Sequence, residues 1–145
     1  MASGYSNTPL VQKLGIREGF IIAIVDAPRD NPAALGRLPK GVAVLERLEG
    51  PLDLIHFFSR EKRSLEVAVP RLKWALETDG LLGVSWPKRS SKIESDLDGN
   101  VVREIGLKQD LVDVKVCVVD ETWSALKFVF RFHSASHYLP GPSDG

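Results

Sequence analysis

From Phe20 to Pro28 the chain reads FIIAIVDAP, a nearly unbroken apolar run that stops at an acid and a proline. Such a run suits a strand covered on both faces, as in parallel sheets. Five more apolar runs follow: VAVL (Val42 to Leu45), LDLIHFF (Leu52 to Phe58), GLLGVSW (Gly80 to Trp86), VDVKVCVV (Val112 to Val119) and LKFVFRF (Leu126 to Phe132). Each is read as a strand. After the third run the period changes. Leu65, Val69, Leu72 and Leu76 fall at helical spacing and predict a helix from a Ser59 cap to about Thr78. Pro70 inside it should kink or restart the helix. A second helix is predicted over VVREIGL, capped by Asp98 or Asn100, and a short one over NTPLVQKLGI. In that short helix Asn7 or Thr8 is the cap, Pro9 suits the first turn and Gly15 suits the stop. RDNPAALGRLPKG reads as a loop with at most a short helix near Asn31, and the polar residues 88–99 read as a loop.

Strands alternating with helices imply an α/β fold. It is a single Rossmann-like, mostly parallel sheet with an antiparallel C-terminal hairpin and helices on both faces. Only about six residues separate the last two strands, which favours a hairpin there. One joint is uncomfortable. Six residues, Glu46 to Pro51, separate VAVL from LDLI, too few for a crossover between neighbouring parallel strands. Either another strand lies between the two, or they form a hairpin. Residues 1–133 are expected to form one domain. The Pro-, Gly- and Ser-rich residues 134–145 are expected to be disordered.

Composition narrows this picture. A chain of 145 residues can bury roughly 70% of its unfolded surface, so no staple is required. Acids and bases balance at 19 each, so no global field favours nucleic acid or an anionic membrane. The single Cys117 cannot form an internal disulfide and fits a reducing cytoplasm. The first residues lack the pattern of a signal peptide, and no apolar run approaches the ~20 residues of a membrane span. A cytoplasmic location is expected.

In open parallel sheets, ligands bind beyond the carboxyl ends of the strands. Here those ends carry Asp26, Ser59, Trp86, Lys88, Asp120, Glu121, Trp123 and Ser124. Trp offers a flat apolar face with an N–H donor, and Lys88 offers a point charge for an anion. A carboxylate can accept from ribose hydroxyls or an amine. The bland alternatives stand beside this. Lys88 can pair with Asp120 or Glu121 for about 1 kcal/mol or less. Trp86 and Trp123 can close the end of the core. Asp26 is either a ligand-facing carboxylate or a turn former capping nearby N–H groups.

Other candidates carry less. His56 lies within a strand, as a core histidine with one hydrogen bond or as a general base. His133 and His137 have the i, i+4 spacing of a metal pair on a helix, but sit among Ser and Pro. DLDGN lacks the acid that a calcium loop needs at its twelfth position, where Leu107 falls. Cys117, mid-strand, is expected to be buried and inert. The chain has no nucleophile elbow and no phosphate-binding loop, so no catalytic residue is assigned.

Two family resemblances follow from these stretches. GPLDLIHFF, LKWALETDGLLGVSW and VDVKVCVVDETWSALKFVFRF resemble the fourth strand, the helix with fifth strand, and the closing hairpin of class I S-adenosylmethionine-dependent methyltransferases. In that family an acid and a glycine-rich turn follow the first strand, where the backbone approaches the cofactor closely. Asp26 matches the acid. Ala27 and Pro28 replace the glycines, and the next glycine is Gly36. Glu46 is the nearby acid for a ribose, and a strand–helix unit is missing before Leu52. The fold implied is a shortened, degenerate methyltransferase. GYSNTPLVQKLGI, DAP, GPLDLIHFF, GVSWPK and LVDVKVCVVDETWSALKFV resemble a bacterial family of short proteins catalogued as domain of unknown function number 3052. That resemblance implies a bacterial cytoplasmic protein and no activity. The expectation is therefore a non-catalytic binding module with no bound cofactor. Its partner would be a small anion or a protein, with no nucleic acid and no membrane. The alternative is an enzyme with an altered cofactor site, still an S-adenosylmethionine-dependent methyltransferase.

Overall fold

A computed structural model of the chain describes residues 10–28 and 37–131. Within them the order is α1 (Leu10–Leu14), β1 (Ile21–Val25), β2 (Ala43–Leu45), β3 (Leu52–Phe58), α2 (Lys62–Ala75) and β4 (Leu76–Pro87). A 3₁₀ turn (Arg89–Ser91), α3 (Gly99–Lys108), β5 (Leu111–Val118) and β6 (Trp123–Phe130) complete it. The six strands form one sheet in the order β2-β1-β3-β4-β6-β5. β2, β1, β3 and β4 are parallel, and β6 runs antiparallel to both β4 and β5. The α/β architecture read from the alternation of runs is the one observed.

The uncomfortable joint has a simple geometry. β1 lies between β2 and β3, and all three are parallel. Leu45 is level with Ala23, and Ala23 with Ile55, so the chain must fall back three residues to reach Leu52. That is about 10 Å along the strands and about 10 Å across two of them. Six residues reach about 20 Å, so Glu46 to Pro51 suffice without a helix.

Two cores cover the sheet. On one face α2 and α3 pack Leu65, Val69, Leu72, Val102 and Ile105 against Ile55, Phe57, Leu82, Leu126 and Phe128. On the other, α1 packs Leu10, Val11 and Leu14 against Ile22, Leu54, Cys117 and Ala125. Gly15 ends α1 as expected, with φ 88 and its N–H donating to Val11 O and Gln12 O. The cap and proline expected before Leu10 lie outside the described residues. So do the short helix near Asn31, both histidines of HSASH and the tail 134–145.

Several boundaries move. α2 does not start on a Ser59 cap. Its N-cap is Glu61, without a side-chain hydrogen bond. Ser59 instead closes a turn, donating to Glu61 O (3.1 Å) and accepting from Glu61 N (3.3 Å). Pro70 stays inside α2 on its exposed side, where the lost N–H deprives only the Glu66 carbonyl. The helix stops at Ala75 because Leu76 already pairs with Leu52 in the sheet. Leu76 fits a helical stripe and a strand equally well, so periodicity alone placed the boundary too late. β6 begins at Trp123, three residues before the predicted Leu126. Asp120 holds the tight turn before it, with Oδ1 accepting from Thr122 N (2.8 Å) and Trp123 N (2.9 Å). Of the two caps predicted for α3 the structure uses Asp98, whose Oδ1 accepts from Val101 N at 2.9 Å.

His56 is a core residue, 2% exposed, sharing a 2.6 Å hydrogen bond between Nε2 and the buried Ser85 Oγ. Its ring lies against Phe58 at 4.2 Å between centroids. Burial pushes its pKa down to about 4 from 6.5. Below pH 6.5 the unfolded chain takes up a proton that the folded chain refuses. Stability should therefore fall as pH drops from 6.5 to about 4, by on the order of 3 kcal/mol. Denaturant titrations across this range should show that slope, and His56→Gln should flatten it. The α3–sheet contact is equally testable. A methyl group on Gly106 would run into the Phe128 ring. Gly106→Ala should cost about 1–3 kcal/mol despite its better helix propensity, read by urea unfolding.

Candidate functional site at the carboxyl edge of the sheet

The chain leaves β1 for β2 on one side, and β3 lies on the other. This reversal creates a crevice beyond the carboxyl ends of β1 and β3, the position at which open α/β sheets bind ligands. A cleft of about 490 Å³ occupies it. That volume falls within the ~300–1,000 Å³ of small-molecule sites. Asp26 and Pro28 form one wall, Phe57, Phe58 and Ser59 another, and Trp123 reaches in from β6. Val25 pairs with Phe57, so Asp26 and Phe58 end level with one another.

Asp26 turns the chain out of the sheet in the left-handed region, with φ 59. Its carboxylate accepts no hydrogen bond among the described residues. It turns the chain through its backbone and leaves the side chain exposed at the cleft. Ser59 is buried, its N–H donating to Ser85 O at 3.0 Å, so its place in the cleft wall is set by the β3–β4 ladder.

The expected edge divides in two. Trp86 pairs with Ser124 and Pro87 with Trp123, so the two indoles face opposite sides of the sheet. Trp123, 7% exposed, packs edge-on to Phe58 at 5.2 Å between centroids and shares the 490 Å³ cleft with Asp26 and Ser59. Trp86, 8% exposed, packs in the α2–α3 core, and Gly99 at the start of α3 lies against its ring. With Lys88, Asp96 and Asp98 it lines a separate cleft of about 350 Å³. Lys88 N donates to Thr122 O at 2.7 Å, tying the end of β4 to the β5–β6 turn. Asp120, Glu121 and Ser124 line neither of these clefts. Asp120 is engaged in its own turn. Both indoles therefore close the core, and only Trp123 also faces Asp26.

Arg60, at the expected end of β3, also lines the cleft, and so do Phe57, Phe58 and Ile93, which were not among the expected residues. Phe57 and Phe58 directly precede Ser59, so the strand end that picked out Ser59 pointed to them too. Ile93, one apolar residue in a polar stretch, was the sign of a segment folded back on the site. A larger hollow of about 590 Å³ lies at the opposite edge, between Leu48, Pro51 and Trp74. It is remote from the switch point, and the crevice is the stronger candidate on topology.

No family model matches the chain, and no curated protein matches it. The resemblance to the family of unknown function rests on the quoted motifs. Solved structures do match. A methyltransferase from Pyrococcus furiosus is 13% identical, with 90% of this chain and 86% of that one covered and a TM-score of 0.50. The ribosomal protein L11 methylase from Lactobacillus delbrueckii subsp. bulgaricus is 13% identical, covering 83% and 74%, with a TM-score of 0.52. Magnesium protoporphyrin IX methyltransferase from Synechocystis PCC 6803 matches with SAH bound at 10% identity, covering 83% and 78%, with a TM-score of 0.56. The same enzyme with SAM bound matches at 9% identity, covering 83% and 74%, with a TM-score of 0.54. The chain has a Rossmann-like fold of the class I methyltransferase type. This corrects the expectation of no cofactor: the Synechocystis enzyme, of the same fold, holds SAH in one structure and SAM in the other. Among the described residues no helix is long and apolar enough to cross a membrane.

The indoles give a direct check on the edge. Trp74 is 80% exposed and should dominate iodide quenching of tryptophan emission. Trp74→Phe should remove most of that quenching and leave blue-shifted, shielded emission from Trp86 and Trp123.

Proposed function

We propose that the cleft between the ends of β1 and β3 binds S-adenosylmethionine and that the chain is a methyltransferase. The observation that carries this is the position of the Asp26–Ser59–Trp123 cleft at the switch point of a methyltransferase-type sheet. The groups present fit. Asp26 offers an exposed carboxylate for a ribose hydroxyl or an amine. Phe57, Phe58 and Trp123 offer apolar and aromatic surface for a purine.

When bound, S-adenosylmethionine supplies a methyl group activated by its sulfonium. The chain's own part is to hold, orient and keep water away. Transfer to a carboxylate or a neutral amine, which has no proton to lose in the step, needs proximity and alignment rather than a dedicated base. Phe58 and Trp123, buried and packed edge-on, narrow the cleft on the side of β6 and limit solvent there. A second reading, binding without transfer, draws on Ala27 and Pro28, whose side chains stand where glycines let a backbone approach.

Calorimetric titration of S-adenosylmethionine and its demethylated product should give micromolar dissociation constants. Asp26→Gly should weaken both by about tenfold or more. The same change should raise stability by up to about 1 kcal/mol, because glycine accepts φ 59 without strain. The absence of heat and of thermal shift at millimolar ligand would reject the proposal.

A further inference from the structure

A different face of the sheet gathers positive charge. Lys115 on β5 and Lys127 on β6 are direct cross-strand partners. Like charges in that position destabilise a sheet. Alternation puts both on the face of Cys117 and Ala125, the face that α1 covers. There Lys127 Nζ donates to Lys13 O at 3.4 Å, in the last turn of α1. A Cβ on Gly15 would lie 3.4 Å from the same Nζ, so the helix end sits close against it. The Cys117 thiol lies 3.9 Å from the same Lys13 carbonyl. Arg17 follows two residues after Gly15.

Among the described residues no carboxylate forms an ion pair with these cations. The ion pairs among the described residues are Arg47–Glu49 and Arg103–Asp113, and neither involves this group. Burial holds the Cys117 thiol above its ordinary value against the pull of Lys115, Lys127 and Lys13, so it is neutral at pH 7. Burial also holds Lys127 below the ordinary lysine value. Cys117 acts against that shift, and Lys115 and Arg17 add to it. A half-buried ammonium facing a like charge is unfavourable on its own. A multiply charged anion on the patch relieves it, and a single carboxylate would leave most of the charge uncompensated.

We infer that the α1 face of the β5–β6 hairpin is a phosphate-binding patch formed by Lys13, Arg17, Lys115 and Lys127. Its ligand carries clustered phosphates, supplied either by a small polyphosphate or by a nucleic-acid backbone. The patch lies about 13 Å along β6 from Trp123, four residues away, so its occupancy is measured apart from the cleft.

The test uses the full chain, inorganic pyrophosphate and a short fluorescent single-stranded RNA. Pyrophosphate should raise the melting temperature relative to chloride at equal ionic strength. RNA anisotropy across a KCl series should give a log–log salt slope of about −2 to −3 if three or four phosphates are neutralised. Pyrophosphate stabilisation without RNA binding assigns the patch to a small polyphosphate. RNA binding with that slope assigns it to a nucleic-acid backbone. Lys115→Glu converts the Lys–Lys pair to Lys–Glu. It should raise the melting temperature in buffer, weaken binding of the assigned ligand about tenfold or more, and abolish the pyrophosphate shift. Lys127→Met should weaken binding in the same direction. No response to either probe overturns the inference. So does a stabilised Lys115→Glu protein that binds as the parent does.

Discussion

The parallel ladder between β1 and β3, from Ile22 against Leu54 to Val25 against Phe57, is the contact on which the rest depends. It makes β1 an interior strand with β2 on its other edge, so both of its faces must be covered. That is why FIIAIV has no polar alternation, and why helices lie on both sides of the sheet. It also brings the ends of β1 and β3 level. Asp26 and Ser59, separated by thirty-three positions in sequence, become opposite walls of one crevice. The short return Glu46–Pro51 is possible only because β1 fills the place between its two ends. The shortened unit and the switch point are therefore one feature.

The far half of the sheet is built on different terms. β6 enters antiparallel between β4 and β5, and Asp120 sets its start by holding the turn with two backbone N–H groups. This fixes Trp123 against Phe58 at the crevice and puts Trp86 on the other face. Phe128 then sits under α3, where only a glycine fits. The aromatic residues at the carboxyl edge thus serve packing first. Trp123 serves the cleft as well because it lies at the seam between the core and the crevice.

Charge shows the same separation of scales. Nineteen acids and nineteen bases cancel over the chain, yet Lys13, Arg17, Lys115 and Lys127 meet on one face. Net charge describes the far field. It says nothing of how cations from three segments converge, because that convergence is set by strand register and by where α1 ends. His56 is the opposite case. A titratable side chain in the apolar run LDLIHFF was expected in the core, and burial keeps it neutral.

Local chemistry alone determined a good deal: the apolar β1, a cap for α3 at Asp98 or Asn100, the Gly15 stop of α1 and the final hairpin. These depend on hydrophobic period, turn residues and caps, which act over a few neighbouring positions. Where α2 gives way to β4 was not local, since Leu76 satisfies either element and its pairing with Leu52 decided between them. Nor was the division of the expected edge into two clefts. Trp86 and Trp123 differ in face only because Pro87 pairs with Trp123. Side-chain direction in a sheet follows register, and register is a property of two strands together. For the same reason the crevice around Asp26 and the cluster around Lys127 exist only once distant strands have paired.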